Sequence, residues 1–251
     1  MGTAHVLEAA RTTPSVRAMV MITTDKVYEN REWEYPYRET DPLGGHDPYS
    51  ASKGASEIVI ASYRASFFGD ATKQPARIAS ARAGNVIGGG DWSPDRLVPD
   101  CLKAFQLGQP VRLRYPHAVR PWQHVLEPLS GYLQLGAALS SENGNDFTKA
   151  WNFGPDITGD QTVGQIAQTI AAQWSPEAKV ISDAVHPALH EAGLLRLDSI
   201  RARQNLGWCP RWSVSQALEH TVRWHEAWLR REDMHLHTCS EINEYQSLLS
   251  T

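Results

Sequence analysis

The sequence is poor in the features that would place it in a membrane, in an oxidising compartment or on nucleic acid. No apolar run approaches the roughly 18 residues of a membrane span. The three cysteines, Cys101, Cys209 and Cys239, form no CxxC pair, which is typical of reduced thiols. A net charge of −4 without any block of like charge argues against binding to a phosphate backbone. The first residues, MGTAHVLEAARTTP, lack the pattern of a secretion signal, so we expect a cytoplasmic protein.

The composition is that of a globular protein with a sizeable core. Hydrophobic residues make up 41% and charged residues 21% of the 251 residues, which argues against disorder. Since domains run to roughly 100–200 residues, the chain is long enough for one large domain or two small ones.

The first half of the chain predicts a parallel βαβ unit. Residues 18–24 are apolar at odd and even positions alike, which is typical of a strand buried on both faces of a parallel sheet. A long helix is predicted next, with Asp47 as its N-cap, Pro48 in its first turn and Gly69 at its end. Residues 76–86 form a second predicted buried strand. Strand, helix and strand in this order indicate an α/β fold.

Shorter elements follow beyond residue 91. The residues after Glu232 are polar, and we expect them to be a loosely held tail. The patterns predict helices over residues 98–107, 127–139, 162–174 and 213–231, and strands over 110–115, 151–155 and 179–181.

Tyr49 and Lys53 carry the clearest chemical signal of the predicted long helix. A spacing of four residues places both on one helix face, one turn apart. An ammonium group so close stabilises a tyrosinate, and such a tyrosine can take a proton from a hydroxyl whose carbon loses hydride. The alternative is a surface pair without function. The position favours chemistry, because the C-terminal ends of parallel strands are where α/β folds bind ligands.

Six segments follow one another along nearly the whole chain: MITTDKVYEN, DPYSASK, ARAGNVIGGGDW, DRLVPD, RPWQHV and LGWCPRWSVSQALEHTVRW. Together, and in this order, they resemble the extended short-chain dehydrogenase/reductases, and among them the nucleotide-sugar 4,6-dehydratases. Asp25-Lys26 resembles the members that act on CDP-glucose, whereas members acting on dTDP-glucose carry Asp-Glu there. The resemblance implies a partial Rossmann-like doubly wound parallel sheet with a smaller mixed α/β substrate-binding domain.

The resemblance implies an NAD-dependent dehydration of a nucleotide sugar, with oxidation at C4, loss of water across C5–C6 and reduction at C6. Thr24 matches the threonine that hydrogen-bonds the C4 hydroxyl, and Tyr49 matches the base that removes its proton. Asp25 matches the general acid that protonates the departing C6 hydroxyl. Lys26 stands where related dehydratases carry the glutamate that removes the C5 proton. A lysine acts as a base only where desolvation or a cationic neighbour favours its neutral form.

Further positions match the family's binding residues. For the cofactor NAD these are Thr23, Tyr49 and Lys53, of which the lysine holds the nicotinamide ribose. For the nucleotide sugar, implied to be CDP-glucose, they are Asn85, Arg96, Leu97, Arg120 and, more weakly, Asn152. Arg120 matches the arginine that clamps the diphosphate, a task that suits a planar guanidinium. The resemblance also implies a homo-oligomer, or a partner chain that supplies further strands.

The 251 residues contain no GxxGxxG turn of the kind with which the family binds the pyrophosphate of NAD. We therefore expect them to hold only part of the NAD-binding domain and to bind NAD poorly on their own. The predicted organisation has three parts. Residues 1–90, with 119–155 contributing, form the remaining NAD-binding part. Residues 91–118 and 156–232 form the nucleotide-sugar-binding domain, and 233–251 the polar tail.

Three alternatives stay open at this point. One is an NAD-dependent nucleotide-sugar epimerase, which would use Tyr49 and Lys53 but need no acid–base pair at Asp25 and Lys26. The others are an inactive remnant that only binds nucleotide sugar, and one subunit of a split enzyme. We expect no metal site, although the spacings His186-x3-His190 and His235-x-His237-x-Cys239 are ones that a metal could use.

Overall fold

The computed structural model describes residues 1–68, 76–182 and 193–249, and they form two compact units. Both units are assembled from separate stretches of the chain. Unit 1 consists of Met1–Gly84, Pro128–Gly154 and Arg196–Cys209, and unit 2 consists of Asn85–Glu127, Pro155–Leu195 and Pro210–Thr251.

The described residues form eight α-helices and eight strands. The helices are α1 (Gly2–Arg11), α2 (Pro48–Phe67), α3 (Leu97–Gln106), α4 (Leu126–Ser140), α5 (Val163–Trp174), α6 (Ile200–Leu206), α7 (Val214–Leu229) and α8 (Met234–Leu249). The strands are β1 (Ala18–Ile22), β2 (Arg77–Ala83), β3 (Asn85–Ile87), β4 (Val111–Leu113), β5 (Val119–His124), β6 (Ala150–Phe153), β7 (Asp160–Thr162) and β8 (Val180–Ser182).

Unit 1 is built on a parallel sheet in the order β1-β2-β6. Val20 pairs with Ala79 and Ala81 with Trp151, so strands distant in sequence lie side by side. Ile78 and Trp151 are fully buried, as expected for strands covered on both faces. The predicted α/β fold with a parallel sheet is therefore confirmed, and the C-terminal ends of the three strands lie at one edge.

Helix α2 begins where the sequence predicts. The Asp47 carboxylate accepts a 3.0 Å hydrogen bond from the backbone N–H of Ser50, and Pro48 occupies the first turn. The helix buries Ile60 against Leu7 of α1 and Ile78 of β2. Gly69, predicted to end this helix, lies outside the described residues.

The second predicted strand, residues 76–86, is wrong as a single element. It is divided at Gly84: β2 pairs with β1 and β6, whereas Asn85 of β3 pairs with Trp122 of β5. The chain thus passes from the sheet of unit 1 to that of unit 2 within one residue.

The division into units differs from the predicted domains in several places, among them residues 85–90, which belong to unit 2 and not to the NAD-binding part. Residues 119–127 belong to unit 2, because β5 pairs with β3 and β7 and not with the sheet of unit 1. Residues 196–209 belong to unit 1, because Trp208 packs edge-on against Phe153 of β6, with ring centroids 5.1 Å apart.

Unit 2 has a core formed by α3, α5 and α7 with its short strands. Buried side chains from the three helices include Cys101, Ile166 and Leu218. The Cys101 thiol is fully buried and its pKa is raised to about 12, chiefly by desolvation, so the residue is part of the core and no nucleophile.

The prediction of a loosely held tail after Glu232 is wrong. Residues Met234–Leu249 form helix α8, in which Tyr245 is only 3% exposed and packs edge-on against Trp212 at 5.1 Å. The residues are polar because the helix docks through hydrogen bonds and charged groups. In the described parts of the chain, every helix is too short or too polar to cross a lipid bilayer.

Candidate active site

A tight turn follows β1 and carries four of the predicted site residues. Residues Asp25–Val27 form a 3-10 turn that Thr24 caps: its hydroxyl accepts a 3.4 Å hydrogen bond from the Lys26 N–H. The same hydroxyl donates a 2.9 Å hydrogen bond to Asp25 Oδ1. Asp25 is 3% exposed, whereas Lys26 is exposed. The turn therefore holds a buried carboxyl group beside a hydroxyl that solvent can reach.

Tyr49 and Lys53 lie on one face of α2, as predicted. The Lys53 ammonium nitrogen is 5.9 Å from the centroid of the Tyr49 ring, and Tyr49 is 48% exposed. The next residue, Gly54, packs against the turn, since a Cβ built there would lie 3.5 Å from the carbonyl oxygen of Val27. The structure thus brings the Tyr49–Lys53 helix and the Thr24–Lys26 turn together within unit 1.

Electrostatics also link the turn to the start of α2. Hydrogen bonds from the Ser50 hydroxyl and N–H hold the pKa of Asp47 below its usual value, and the positive charge of Lys26 contributes in the same direction. Lys26 is therefore near the first turn of α2. Its side chain is exposed.

The hydroxyl of Thr23 is directed inward. It donates a hydrogen bond to the Glu57 carboxylate of α2, and Glu57 also accepts a 2.8 Å bond from Arg82 Nη2. Glu57 and Arg82 are each 3% exposed. Neither Glu57 nor Arg82 is among the site residues that the sequence predicts, although Glu57 lies one turn beyond Lys53 on the same helix.

Asn152 does not occupy the position of a substrate ligand in this structure. It is completely buried, and its amide oxygen accepts a 2.7 Å hydrogen bond from the Tyr28 hydroxyl. Its amide nitrogen donates to the carbonyl oxygens of Tyr37 and Asp198. Because the whole side chain is engaged inside unit 1, we correct the predicted role: Asn152 ties loops to the end of β6.

The remaining predicted binding residues belong to unit 2. Asn85 begins β3 and Arg120 lies on the neighbouring strand β5, where its Nη1 donates a 2.8 Å hydrogen bond to the Val119 carbonyl. Arg120 is only 4% exposed. Arg96 is the exposed N-cap residue of α3, and Leu97 is the first residue of this helix. Their role towards a nucleotide sugar stays a prediction.

Two of the histidines with metal-like spacing, His186 and His190, lie outside the described residues. On α8, Cys239 Sγ is 3.8 Å from His235 Nε2, as their spacing of four residues requires.

A parallel sheet whose first strand leads into Thr-Thr-Asp-Lys, followed by a helix that opens with Tyr-x3-Lys, defines a Rossmann-like enzyme of the short-chain dehydrogenase/reductase class. Solved structures share this fold. A UDP-glucose 4-epimerase from Thermotoga maritima matches with a TM-score of 0.75 and 19% identity, covering 91% of this chain and 69% of its own. A dTDP-glucose 4,6-dehydratase from Bacillus anthracis, solved with NAD, matches with a TM-score of 0.70 and 21% identity, covering 90% and 66%.

Residues 1–221 match the family described as GDP-mannose 4,6 dehydratase, and the chain belongs to this family. It is 47% identical over 250 residues to a CDP-glucose 4,6-dehydratase from Salmonella typhimurium. That alignment covers 98% of this chain and 69% of the relative. The chain therefore spans about two thirds of the length of the proteins it matches, and the predicted relationship to nucleotide-sugar 4,6-dehydratases is confirmed.

Proposed function

We propose that this chain carries the catalytic residues of an NAD-dependent CDP-glucose 4,6-dehydratase, a hydro-lyase that forms CDP-4-keto-6-deoxyglucose. The observation that carries the proposal is the 47% identity, over 98% of the chain, to the Salmonella CDP-glucose 4,6-dehydratase. The turn after β1 supports it, because a dehydratase needs an acid for the departing C6 hydroxyl and Asp25 lies beside Thr24.

The first step is a proton transfer at the C4 hydroxyl of the hexose. Tyr49 takes this proton on its phenolic oxygen, and the Lys53 ammonium on the same helix face stabilises the phenolate. Thr24, whose hydroxyl lies in the facing turn, orients the C4 oxygen. Bound NAD would supply the hydride acceptor for C4 and, later in the cycle, the hydride donor for C6.

The Tyr49–Lys53 pair fits such a cofactor. An ammonium group has three donors, which suits the hydroxyls of a ribose, and both side chains project from the first turns of α2. Thr23, matched to the cofactor by resemblance, has its hydroxyl bonded to Glu57 and so contributes through its backbone position instead.

Elimination of water follows from the 4-keto sugar. The carbonyl at C4 makes the C5 proton acidic; Lys26 removes it while Asp25 gives a proton to the C6 hydroxyl, which leaves as water. With hydride returned to C6 by the reduced cofactor and a proton to C5, the net change would be the loss of one water molecule. Lys26 is exposed in this structure and so is accessible to a substrate.

Recognition of the nucleotide sugar falls to unit 2 in this proposal. Arg120 binds the diphosphate through its guanidinium, and Asn85 contributes from the adjacent strand β3. Arg96 and Leu97 contact the nucleotide from the start of α3. The proposal further includes a homo-oligomer in the cytoplasm and a place in the synthesis of deoxysugars for lipopolysaccharide O-antigen.

The test uses the 251-residue chain and a chimera in which residues 1–251 replace the matching segment of the Salmonella enzyme. Both are incubated with NAD and CDP-glucose carrying labelled oxygen at C6. We expect the chimera to release this oxygen as water and to form a 4-keto-6-deoxy product, and Tyr49→Phe to abolish both. Retention of the label with inversion at C4 would identify an epimerase. If the chimera binds CDP-glucose without turning it over, the chain is an inactive remnant. If the chimera turns it over and the 251-residue chain does not, the catalytic residues of this chain act together with a further segment.

A further inference from the structure

The structure assigns to Glu57 a role as the positioning residue that fixes the Thr23–Lys26 turn to the helix bearing Tyr49 and Lys53. This inference rests on the proposed function, in which those two groups act on the same sugar. Glu57 itself touches no substrate. Its role is to set where Thr24 and Asp25 stand with respect to the Tyr49 oxygen.

The placement of Glu57 on α2 suits this role. It lies one helical turn beyond Lys53 and two turns beyond Tyr49, on the same side of the helix. Tyr49 is half exposed, whereas Glu57 is 3% exposed. Tyr49 therefore projects from α2 towards solvent, and Glu57 projects from the same rigid helix into unit 1.

Both carboxylate oxygens of Glu57 are occupied. Oε1 accepts a hydrogen bond from the Thr23 hydroxyl, which belongs to the residue directly before Thr24. Oε2 accepts bonds from Ser80 Oγ at 2.7 Å and from Arg82 Nη2 at 2.8 Å. One carboxylate thus joins α2, the end of β1 and the end of β2.

The network continues across the sheet from Arg82. Its Nη1 donates a 2.8 Å hydrogen bond to the Tyr28 hydroxyl, which donates in turn to Asn152 Oδ1 at the end of β6. The Asn152 N–H donates a 3.0 Å bond to Glu39 Oε1. The ends of all three strands of unit 1 are therefore connected to Glu57 through buried polar contacts.

Charge makes this connection strong. Burial alone would raise the pKa of Glu57, but its hydrogen bond and attraction to Arg82, with the hydroxyls of Thr23 and Ser80, hold the pKa below its usual value. Glu57 is therefore ionised, and its hydrogen bonds are charge-assisted. Removing the charge weakens the anchor of the turn as well as the ion pair.

A purely structural ion pair is the competing explanation, and it makes a different prediction. Replacing both members of a buried ion pair by apolar residues is often neutral for stability, whereas removing one member is costly. If the pair serves only stability, the double variant Glu57→Leu/Arg82→Met should recover the melting temperature, the exchange protection and the kcat that Glu57→Gln loses. If Glu57 positions the turn, that variant should recover the melting temperature and leave the turn loose.

The first test is amide hydrogen exchange of the 251-residue chain without ligand, so it does not depend on the proposed function. Glu57→Gln should speed exchange in peptides covering residues 23–28 and leave α1 protected as in the parent. Thr23→Val should do the same with less effect on stability, and Thr23→Ser should restore protection. Ser80→Ala is the matched control, because it deletes one hydroxyl from the same carboxylate without touching the turn. Unchanged exchange at residues 23–28 in folded Glu57→Gln and Thr23→Val would overturn the inference.

The second test measures turnover of CDP-glucose by the chimera. Glu57→Gln and Thr23→Val should lower kcat by about 100-fold with little change in KM, since a small misplacement of reacting groups costs that much. Recovery of melting temperature, exchange protection and kcat together in Glu57→Leu/Arg82→Met would show a structural role only and overturn the inference. An inactive parental chimera would instead reject the proposed function, while the exchange experiment still decides on the positioning role.

Discussion

The phenol of Tyr245 on α8 donates a 2.6 Å hydrogen bond to Glu127 Oε2 in the first turn of α4. Glu127 is completely buried, and its carboxylate also accepts hydrogen bonds from the backbone N–H groups of Arg211 and Trp212. Burial raises the pKa of Glu127 although all these donors oppose it. One carboxyl group thus connects α8 to the segment that leads into α7.

This contact predicts that Tyr245→Phe lowers the free energy of unfolding by about 1–3 kcal/mol, because hydrogen bonds to charged groups are among the stronger ones. Chemical denaturation monitored by tryptophan fluorescence measures the change. Tyr63→Phe is the matched control, since its hydroxyl is 3.4 Å from the exposed Glu8 and its removal should have little effect. Equal stability of Tyr245→Phe and the parent would show that α8 docks by apolar packing alone.

A second contact of α8 makes the stability depend on pH. Desolvation raises the pKa of Glu241 to about 7, with Glu244 adding to the rise and Arg223 opposing it. Its Oε1 lies 3.3 Å from His220 Nδ1 and 3.7 Å from His124 Nε2. Burial lowers the pKa of both histidines, that of His124 to about 3. The Glu241 carboxyl is therefore protonated below about pH 7 in the folded state.

The sign of the effect follows from linkage. A carboxyl group whose pKa is raised in the folded state binds more protons than in the unfolded state between its two pKa values, so its contribution to stability is lost as the pH rises from about 4.5 to about 7. As the pH rises, the free energy of unfolding should fall by up to about 3 kcal/mol less in Glu241→Gln than in the parent. Each unit of pKa shift corresponds to about 1.4 kcal/mol. Unfolding of the parent and the variant is compared at pH 5 and pH 8. Both histidines are present in both proteins, so the difference between the two reports the ionisation of Glu241 together with its coupling to these imidazoles.

The elements that the sequence predicts well are those with local signals. Asp47 and Pro48 mark the start of α2 through hydrogen bonding and a fixed backbone angle, both of which involve neighbouring residues only. The Tyr49–Lys53 face follows from helical spacing alone. Strand β1 forms where the apolar run predicts it, but its side chains are only partly buried and Ile22 is 52% exposed, so the predicted burial on both faces is wrong.

The features that the sequence does not predict depend on distant partners. The break at Gly84 is set by the choice of β5 as a partner for β3, some 35 residues further along the chain. The Glu57–Arg82 pair joins residues 25 positions apart, and nothing near either residue indicates it. Helix α8 mixes polar and apolar residues, and contacts with distant residues such as Glu127 and Trp212 show why it is ordered.

The glycine-rich loop after β3 supplies a prediction about packing. A Cβ at Gly89 would overlap the indole ring of Trp224, which a 3.0 Å hydrogen bond from its Nε1 to the Thr238 hydroxyl holds in place. Gly89→Ala should therefore lower the free energy of unfolding by about 1–3 kcal/mol through overpacking.

Gly136 is the matched control for this prediction. It lies inside α4, and a Cβ added there would contact only Val20 Cγ2 of the surrounding described side chains, at 3.9 Å. Gly136→Ala should raise stability by up to about 1 kcal/mol, because alanine is the better helix former. If both variants are equally stable, Trp224 moves aside at little cost and the loop is not fixed by this contact.

The last prediction separates the two halves of the proposed reaction. If Lys26 removes the C5 proton, Lys26→Ala in the chimera should leave oxidation at C4 intact, because Tyr49 and Lys53 are unchanged on α2. Elimination should then stall. On addition of CDP-glucose the absorbance of reduced nicotinamide should rise and persist, with little 4-keto-6-deoxy product, whereas Tyr49→Phe should show neither signal. The two variants differ because each residue serves a different bond: Tyr49 the C4 hydroxyl, Lys26 the C5 proton. Product formation by Lys26→Ala at the parental rate would exclude Lys26 as the base.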